Sequence, residues 1–320
     1  MEILAVKRKN SGFSVVELIT VITIVSILVS LLLPGISMVR TLAKNTQQKA
    51  QFATLELGIE AFKNDFGQYP ESKKSSSGKY QGGQKLAEAM VGRDMLGFHP
   101  DTDWGENGTD YENVYYRGLD SAFAPNQATN NADWQNLQKR KDHYIELETA
   151  NIFRLQADPG NKISGLYGLD DDTYLLNGES LVICDAYKRN KVTEYLSGGE
   201  IRVTKAGNPI LYYRANLQSK DSNAAAFSDR IYDNDDNSSI VTTVEFIMEA
   251  RKETTATEIN SSTIYDPDKF YEFISDPKLA KPSSSGPFKY WPYNSQTYIL
   301  ISAGKDGLYG TEDDICNFDR

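Results

Sequence analysis

An uncharged stretch of 22 residues near the N-terminus, residues 18–39, limits the folds open to this 320-residue chain more than any other feature. About 20 apolar residues, each adding a rise of about 1.5 Å, cross a hydrocarbon layer about 30 Å thick. The stretch therefore predicts a single membrane-spanning helix. Three basic residues at positions 7–9 precede it, and Arg40 and Lys44 follow it. The positive-inside rule favours a cytoplasmic N-terminus with the polar remainder of the chain outside.

The composition of the chain excludes several classes of protein. Hydrophobic residues make up 40% and aromatic residues 11%, which is enough for a folded core. The net charge of −10 argues against a nucleic-acid partner, because phosphate binding needs clustered Lys and Arg. Two cysteines and two histidines are too few for a zinc module or a His-based catalytic site, and we do not expect an enzyme. The sequence leaves a disulfide between Cys184 and Cys316 open.

Three kinds of N-terminal segment compete for residues 1–39. A cleaved secretory signal has an apolar region of about 7–15 residues, which is shorter than the stretch found here. A plain signal anchor fits the length but leaves Glu17 unexplained, because an ionised carboxylate in lipid needs a partner. A third kind of segment supplies that partner.

Residues 9–18, Lys-Asn-Ser-Gly-Phe-Ser-Val-Val-Glu-Leu, resemble the class III signal of type IV pilins and type II secretion pseudopilins. The resemblance implies that a prepilin peptidase cuts after Gly12 and that the new N-terminal residue, Phe13, is methylated. It also implies that the amine of Phe13 pairs with Glu17 of a neighbouring subunit. Pro34 stands where this family places a helix-disturbing proline.

The apolar periodicity continues beyond the membrane span. Five apolar residues spaced three and four apart predict one buried stripe on an amphipathic helix: Phe52, Leu55, Ile59, Phe62 and Phe66. Gly67 and Tyr69-Pro70 should end this helix. Residues 58–70 resemble the helix end of the major (G-type) pseudopilin of type II secretion. The resemblance implies an α+β, pilin-like fold, in which a long N-terminal helix with a membrane-spanning inner half packs on a C-terminal antiparallel sheet.

The chain divides on this basis into three predicted regions. Residues 1–12 form the leader peptide, residues 13–66 the long helix with its span at about 18–39, and residues 67–320 an extracytoplasmic domain. This domain carries an enlarged, loop-rich middle at about residues 98–204. Local patterns within it predict helices at 86–96 and 268–275, strands at 180–186 and 297–302, and a hairpin from 200–204 and 209–214.

A loop near the C-terminus concentrates acidic residues between glycines. Four carboxylates lie within nine residues, 306–314, and this pattern fits either a solvated turn or a Ca²⁺ site. Major pseudopilins bind calcium through one Asp followed by two Asps seven and eight residues later. The resemblance therefore implies that Asp306, Asp313 and Asp314 bind Ca²⁺, with the backbone carbonyls of Ala303 and Thr311, and leaves out Glu312.

Two other segments of the chain are also rich in acidic residues. Residues 165–172 repeat part of its pattern, with Ser164 where Asp306 would be, so a second metal site near residues 170–172 stays open. The acidic run at residues 233–237 is predicted to be a solvated loop.

The resemblance implies a structural subunit of a type II secretion pseudopilus, stabilised by calcium. Its expected partners are copies of itself, other pseudopilins, the prepilin peptidase and the inner-membrane secretion platform. The chain would cross the inner membrane once, with a cytoplasmic N-terminus and a periplasmic globular domain. The alternative is a membrane-anchored, calcium-dependent binding protein that does not polymerise. A type IV pilus or an uptake machine also stays open as the host system.

We predict that the mature chain begins at Phe13. Removal of residues 1–12 takes away three basic residues and Glu2, so the net charge changes from −10 to −12. Intact-mass measurement of protein extracted from membranes checks this. Retention of residues 1–12 in a host with an active prepilin peptidase would contradict it.

Overall fold

The computed structural model describes part of the chain in detail. The described residues are 14–105, 137–155, 165–166, 180–188, 190–195, 201–219, 230–241, 264, 266–279 and 291–319. The chain divides into two compact units, Met1–Lys44 and Asn45–Arg320. The first helix, α1, covers Val15–Phe66 and contributes to both units.

In the first unit, α1 exposes large hydrophobic side chains around most of its circumference. Its large hydrophobic side chains are between 46% and 75% exposed, as expected for a helix whose solvent is lipid. By length and composition, α1 is able to cross a membrane. The hydroxyls of Thr20 and Thr23 donate to backbone carbonyls one turn earlier, those of Val16 and Ile19, each at 2.8 Å. These polar groups are therefore satisfied within the helix itself.

The second unit combines helices with short antiparallel strands. Among the described residues it contains the helices α2, Gly82–Val91, and α3, Pro267–Phe273, beside the outer half of α1. Its strands are β1, Ile152–Arg154; β2, Leu181–Ile183; β3, Asn190–Tyr195; β4, Ile201–Ala206; β5, Leu211–Arg214; β6, Tyr298–Ser302; and β7, Ile315–Cys316. All the pairings among these strands are antiparallel, in the sheets β1-β2, β3-β4 and β5-β6-β7. The expected α+β, pilin-like fold with a long N-terminal helix is confirmed.

The central strands β5 and β6 are covered on both faces. Tyr212 and Leu300 face a core formed with the outer half of α1 and with α2. Tyr213 and Ile301, their neighbours along the strands, face a second core that includes α3. Because successive residues of a strand point to opposite faces, two buried faces explain why β6 is apolar at nearly every position.

The predicted stripe on α1 is buried. Phe52, Leu55, Ile59 and Phe62 are at most 3% exposed, and Phe66 packs beside them. The helix ends where the sequence predicted, since Gly67 adopts a positive φ of 74° and its N–H donates to the carbonyl of Lys63 at 2.7 Å.

Two polar residues next to the stripe form hydrogen bonds with a distant part of the chain. Gln48 is fully buried, and its side-chain oxygen accepts from the backbone N–H of Ala186 at 2.7 Å. Gln51 donates to the carbonyl of Cys184 at 2.9 Å. Both amides therefore attach this half of α1 to the chain that follows β2.

The predicted hairpin between residues 200–204 and 209–214 is wrong. β4 pairs with β3, whereas β5 pairs with β6. Between them, the carbonyl of Asn208 accepts from the N–H of Asp185, and Pro209 bridges Cys184. The chain therefore leaves one sheet and enters another at these residues, because their backbone groups bond to the end of β2 instead of to each other.

The acidic run at residues 233–237 is not a solvated loop. It forms a 3-10 helix, Asn234–Asn237, in which Asp236 is 4% exposed and Asn237 is fully buried. Asn237 accepts from the N–H of Gly83 and donates to the carbonyl of Tyr212, each at 2.8 Å. Its amide therefore links α2 to β5, which explains the burial of so polar a segment.

The other local predictions are confirmed in part. The helix predicted at 268–275 and the strand at 297–302 are confirmed by α3 and β6. The helix predicted at 86–96 begins earlier and ends at Val91, where Gly92 follows with a positive φ of 78°. Residues 1–13 and 170–172, with the predictions made for them, lie outside the described residues.

We predict that Ile59→Ala lowers the free energy of unfolding by about 2–5 kcal/mol, because it leaves a cavity between α1 and the sheet. Ile59 is fully buried, whereas Leu57, two residues earlier on the same helix, is 74% exposed. Leu57→Ala is the matched control and should change stability little. Chemical denaturation of the full chain in detergent measures both. Equal losses for the two variants would contradict the packing described here.

Candidate metal centre and N-terminal motif

The acidic loop, residues 303–314, connects two paired strands. β6 leads into it, and β7 returns antiparallel to β6, with Ile301 opposite Cys316 and Ser302 opposite Ile315. The loop is therefore held at both ends by the sheet whose β5 and β6 strands lie between the two cores.

Side chains inside and outside the loop fix its path. Asn208 donates from its side chain to the carbonyl of Gly307 at 2.8 Å. Tyr309 is 2% exposed, and its hydroxyl donates to the carbonyl of Pro209. The turn before β5 thus anchors the loop from the side. The sequence gives no local sign of this contact, because about 100 residues separate the partners.

The structure brings together the three carboxylates that the sequence analysis singled out. One oxygen from each of Asp306, Asp313 and Asp314 lies within 4.8 Å of the other two. Oxygen ligands at 2.3–2.6 Å from a Ca²⁺ ion are at most about 5 Å apart, so this spacing fits one shared ion. Thr311 joins the cluster through its hydroxyl, while the carbonyl of Ala303 accepts from the N–H of Gly307 at 3.0 Å.

Hydrogen bonds already orient these carboxylates. The backbone N–H of Asp306 donates to Asp313 Oδ2 at 2.8 Å, and that of Gly310 to Asp314 Oδ2 at 2.7 Å. The hydroxyl of Thr311 lies 2.7 Å from Asp313 Oδ1 and 3.2 Å from Asp314 Oδ1, but its one proton serves only one of them at a time.

Among the residues that the structure describes, no Lys or Arg forms an ion pair with any of the three carboxylates. Burial raises the pKa of Asp314 well above its ordinary value, and burial and the nearby charge of Asp313 raise the pKa of Asp306. Burial acts in the same direction on Asp313, but hydrogen bonds from Thr311 and Asp306 outweigh it and lower its pKa. The arrangement favours a cation or a retained proton.

The backbone of the loop approaches itself closely at Gly304. Its φ is +57°, and a Cβ placed there would lie 2.3 Å from the carbonyl oxygen of Asp313. Only glycine fits this position, which sets Asp313 beside the start of the loop.

At the other end of the chain, Ser14 directly precedes α1 and Glu17 lies in its first turn. The backbone N–H of Ser14 donates to Glu17 Oε2 at 2.9 Å, and the N–H of Val16 reaches the hydroxyl of Ser14 at 3.3 Å. This is close to a capping box, and the spacing Ser-x-x-Glu that signals one was overlooked in the sequence. Glu17 therefore has a role within its own chain, while its pairing between subunits stays a prediction. Gly12 and Phe13 lie outside the described residues.

Two further predictions concern residues away from these sites. The structure contains no disulfide between Cys184 and Cys316. In the segment that echoes the acidic loop, only Gly165 and Leu166 are described, and a second metal site there stays untested.

Comparison with known families finds a match for the N-terminal segment. Residues 7–33 match the family described as the prokaryotic N-terminal methylation motif. No curated protein and no solved structure matches the chain. The chain thus carries the N-methylation motif of type IV pilin-like proteins, which overlaps the start of an apolar helix able to anchor it in a membrane. This motif indicates processing by a prepilin peptidase and a pilin-like filament subunit.

Proposed function

We propose that this protein is a structural subunit of a type II secretion pseudopilus. The methylation motif at residues 7–33 carries the assignment to a filament. The finer assignment rests on the resemblance of two features to major pseudopilins, the helix end at Tyr69-Pro70 and the spacing of the three aspartates in the acidic loop. The filament would be anchored in the inner membrane, and its globular domains would lie in the periplasm.

One face of the membrane span supports packing against other helices. At 100° per residue, five hydroxyl residues in the span and just beyond it fall within one sector of the helix surface: Thr23, Ser26, Ser30, Ser37 and Thr41. The hydroxyls of Ser30 and Thr41 donate to carbonyls of their own helix, at 2.8 and 3.1 Å. Small side chains let helices approach closely in lipid, where there is no hydrophobic force between them.

Glu17 would fix the register of this packing. Its carboxylate lies at the start of α1, where it accepts from Ser14. Cleavage after Gly12 would create a new amine at Phe13, and pairing across subunits would neutralise two charges that are costly to leave alone in lipid. The other pseudopilins and the secretion platform of the inner membrane are its proposed partners.

Calcium would complete the acidic loop. The convergence of Asp306, Asp313 and Asp314, with no cationic side chain paired to them among the described residues, supports this part of the proposal. Ca²⁺ prefers six to eight oxygen ligands, which these carboxylates, water and the carbonyls of Ala303 and Thr311 would supply. A bound ion would tie the loop to the β6-β7 end of the sheet.

We expect Glu17→Gln to reduce assembly into filaments as much as Glu17→Ala does. Gln keeps an oxygen that can accept from Ser14 and so preserves the helix cap, but it removes the charge that pairs with the amine of Phe13. In-cell cross-linking of the full chain gives the multimer ladder for each variant.

The same experiment separates the two roles of Glu17. Membrane insertion and monomer yield should match the wild type in both variants, because the charge acts only between subunits. If Glu17→Gln assembles normally and Glu17→Ala does not, assembly depends on the helix cap and not on the charge of Glu17. A wild-type chain that never forms multimers beside its secretion machinery would favour a non-polymerising anchor.

We expect Ca²⁺ to raise the melting temperature of the full chain in detergent. A ligand that binds only the folded state stabilises it by about 2.7 kcal/mol at a hundredfold excess over Kd. Extracellular calcium modules bind at about 10⁻⁴–10⁻³ M, so millimolar calcium is the appropriate range. Mg²⁺ should act more weakly, because it requires a smaller octahedral shell.

Variants in the acidic loop provide the control for this measurement. Asp313→Asn should lose most of the calcium shift, because it removes one ligand charge with little change of shape. Glu312→Gln removes the same charge from an exposed neighbour outside the cluster and should keep the shift. Equal melting temperatures of the wild type in calcium and in chelator would contradict the calcium site and favour the interpretation of the loop as a solvated turn.

A further inference from the structure

The paired strands β3 and β4 of the second unit have one buried face and one exposed face. Val192 and Ala206, each 1% exposed, belong to the core that includes α3 and so hold the pair against the domain. Because successive strand residues point to opposite faces, Lys191 and Lys205 lie on the outer face together with Val203, which is 61% exposed. This outer face of β3-β4 therefore combines two positive charges with a large apolar side chain.

The two lysines of the outer face stand directly opposite each other in the antiparallel register. Like charges at such positions destabilise a sheet, because their Cβ atoms are only about 4.5–5.5 Å apart. Among the side chains that the structure describes, no carboxylate forms an ion pair with Lys191, with Lys205 or with the exposed Lys188 just before β3. A negatively charged surface outside the chain would supply the missing counter-charge.

The charge of this part of the chain is opposite to that of the whole protein. The net charge is −10, yet residues 188–206 contain five basic and two acidic residues. Residues 18–55 of α1 contain no Asp or Glu, whereas Arg40, Lys44 and Lys49 follow the uncharged stretch. One anionic surface would attract both segments, if both lie near it.

The chain itself keeps the start of β3 close to the membrane. Three residues before β3, the hydroxyl of Tyr187 donates to Asn45 Oδ1 at 2.7 Å, and the N–H of Ala186 donates to the side chain of Gln48 at 2.7 Å. Asn45 follows Val39, the last residue of the uncharged stretch, by six positions. Even a fully extended chain of this length spans no more than about 22 Å. The β3-β4 pair is therefore attached to the part of the domain nearest to the span along the chain.

We propose that the outer face of β3-β4 binds the anionic lipid headgroups of the membrane that α1 enters. The ammonium group of Lys is a point charge on a flexible stem, which suits headgroups that offer no fixed geometry. Basic side chains close to an anionic membrane surface are attracted to it, and Val203 would reach the boundary of the acyl chains. This surface goes beyond the proposed function and does not depend on it, since it requires an anchored chain but no filament.

An acidic face of a second copy is the other occupant that these charges would attract. An anchored chain has the membrane within reach of its own backbone, so that encounter is intramolecular, whereas a second copy must arrive by diffusion. The short reach from Val39 to Asn45 therefore favours lipid. The two occupants also differ in what they require, because lipid binding needs only one chain.

Amide hydrogen exchange of the full chain in lipid nanodiscs, with one chain per disc, tests the proposal. The discs contain either phosphatidylcholine alone or an equal mixture with phosphatidylglycerol. We expect the amides of β3 and β4 to exchange at least about tenfold more slowly in the anionic discs, because the pair must leave the surface before it opens. This difference should shrink at high salt, which screens exposed charges.

Two outcomes of this measurement would overturn the proposal. The first is equal exchange of β3 and β4 in the two kinds of disc from a normally melting wild type. The second is slower exchange that appears only when discs hold two chains, whatever the lipid charge, which would assign the face to a second copy.

Two double variants provide a matched comparison. Lys191→Gln with Lys205→Gln should abolish the difference between the discs, and it should fold because it removes a repulsion between opposite positions. Lys139→Gln with Lys141→Gln removes the same charge and should keep the difference. Lys141 pairs with Asp65 at 3.5 Å, which lies about 30 Å from Asn45 along α1.

Melting curves in detergent establish that both double variants fold. If the folded variant without Lys191 and Lys205 keeps the full difference between the discs, the proposal is overturned. Loss of the difference in the Lys139 and Lys141 variant as well would contradict the assignment to this face, because any loss of positive charge would then have the same effect.

Discussion

The structure depends on the burial of one apolar stripe of α1 against the sheet. Ile59 and Phe62 lie in a core with Tyr212 of β5 and Leu300 of β6, while α2 closes the same core. Without this contact, one face of the central strands would be exposed. The same helix carries a different pattern in the first unit, where it is apolar around most of its circumference and suits lipid. One continuous helix thus has an inner half suited to lipid and an outer half suited to a protein core.

The packing on the other face of the sheet positions the candidate site. β6 is buried at all its residues, and β7 pairs with its end, so the loop between them begins and ends on fixed backbone. Asn208 and Tyr309 then hold the middle of the loop to the turn before β5. The three aspartates are therefore brought together by packing and backbone bonds, in spite of their mutual repulsion. A site that must hold like charges close together needs such a rigid frame.

Some of this arrangement was predictable from local sequence. The stripe on α1, its end at Gly67, the strand β6 and the spacing of the aspartates are patterns within a short segment, where periodicity and turn chemistry decide the structure. The N-terminal motif is equally local, and its family match confirms it.

The rest was not predictable, because it depends on residues that are distant in sequence. β4 looked like a partner for β5, but backbone groups around Asn208 bond to the end of β2. The acidic run at residues 233–237 looked solvated, yet Asn237 is buried between α2 and β5, and its partners are 154 and 25 residues away. A polar side chain whose hydrogen-bond partners are backbone groups far away in sequence leaves no periodic pattern in the sequence.

Electron cryo-microscopy tests the filament account at the level of single contacts. The sample is membrane and periplasmic material from cells that express the full chain with its prepilin peptidase. The account predicts filaments in which the α1 helices form the core and the Glu17 carboxylate lies within hydrogen-bonding distance of the Phe13 amine of an adjacent subunit. Filaments in which Glu17 contacts only its own subunit, or mature chains found solely as separate membrane-anchored monomers, would contradict it.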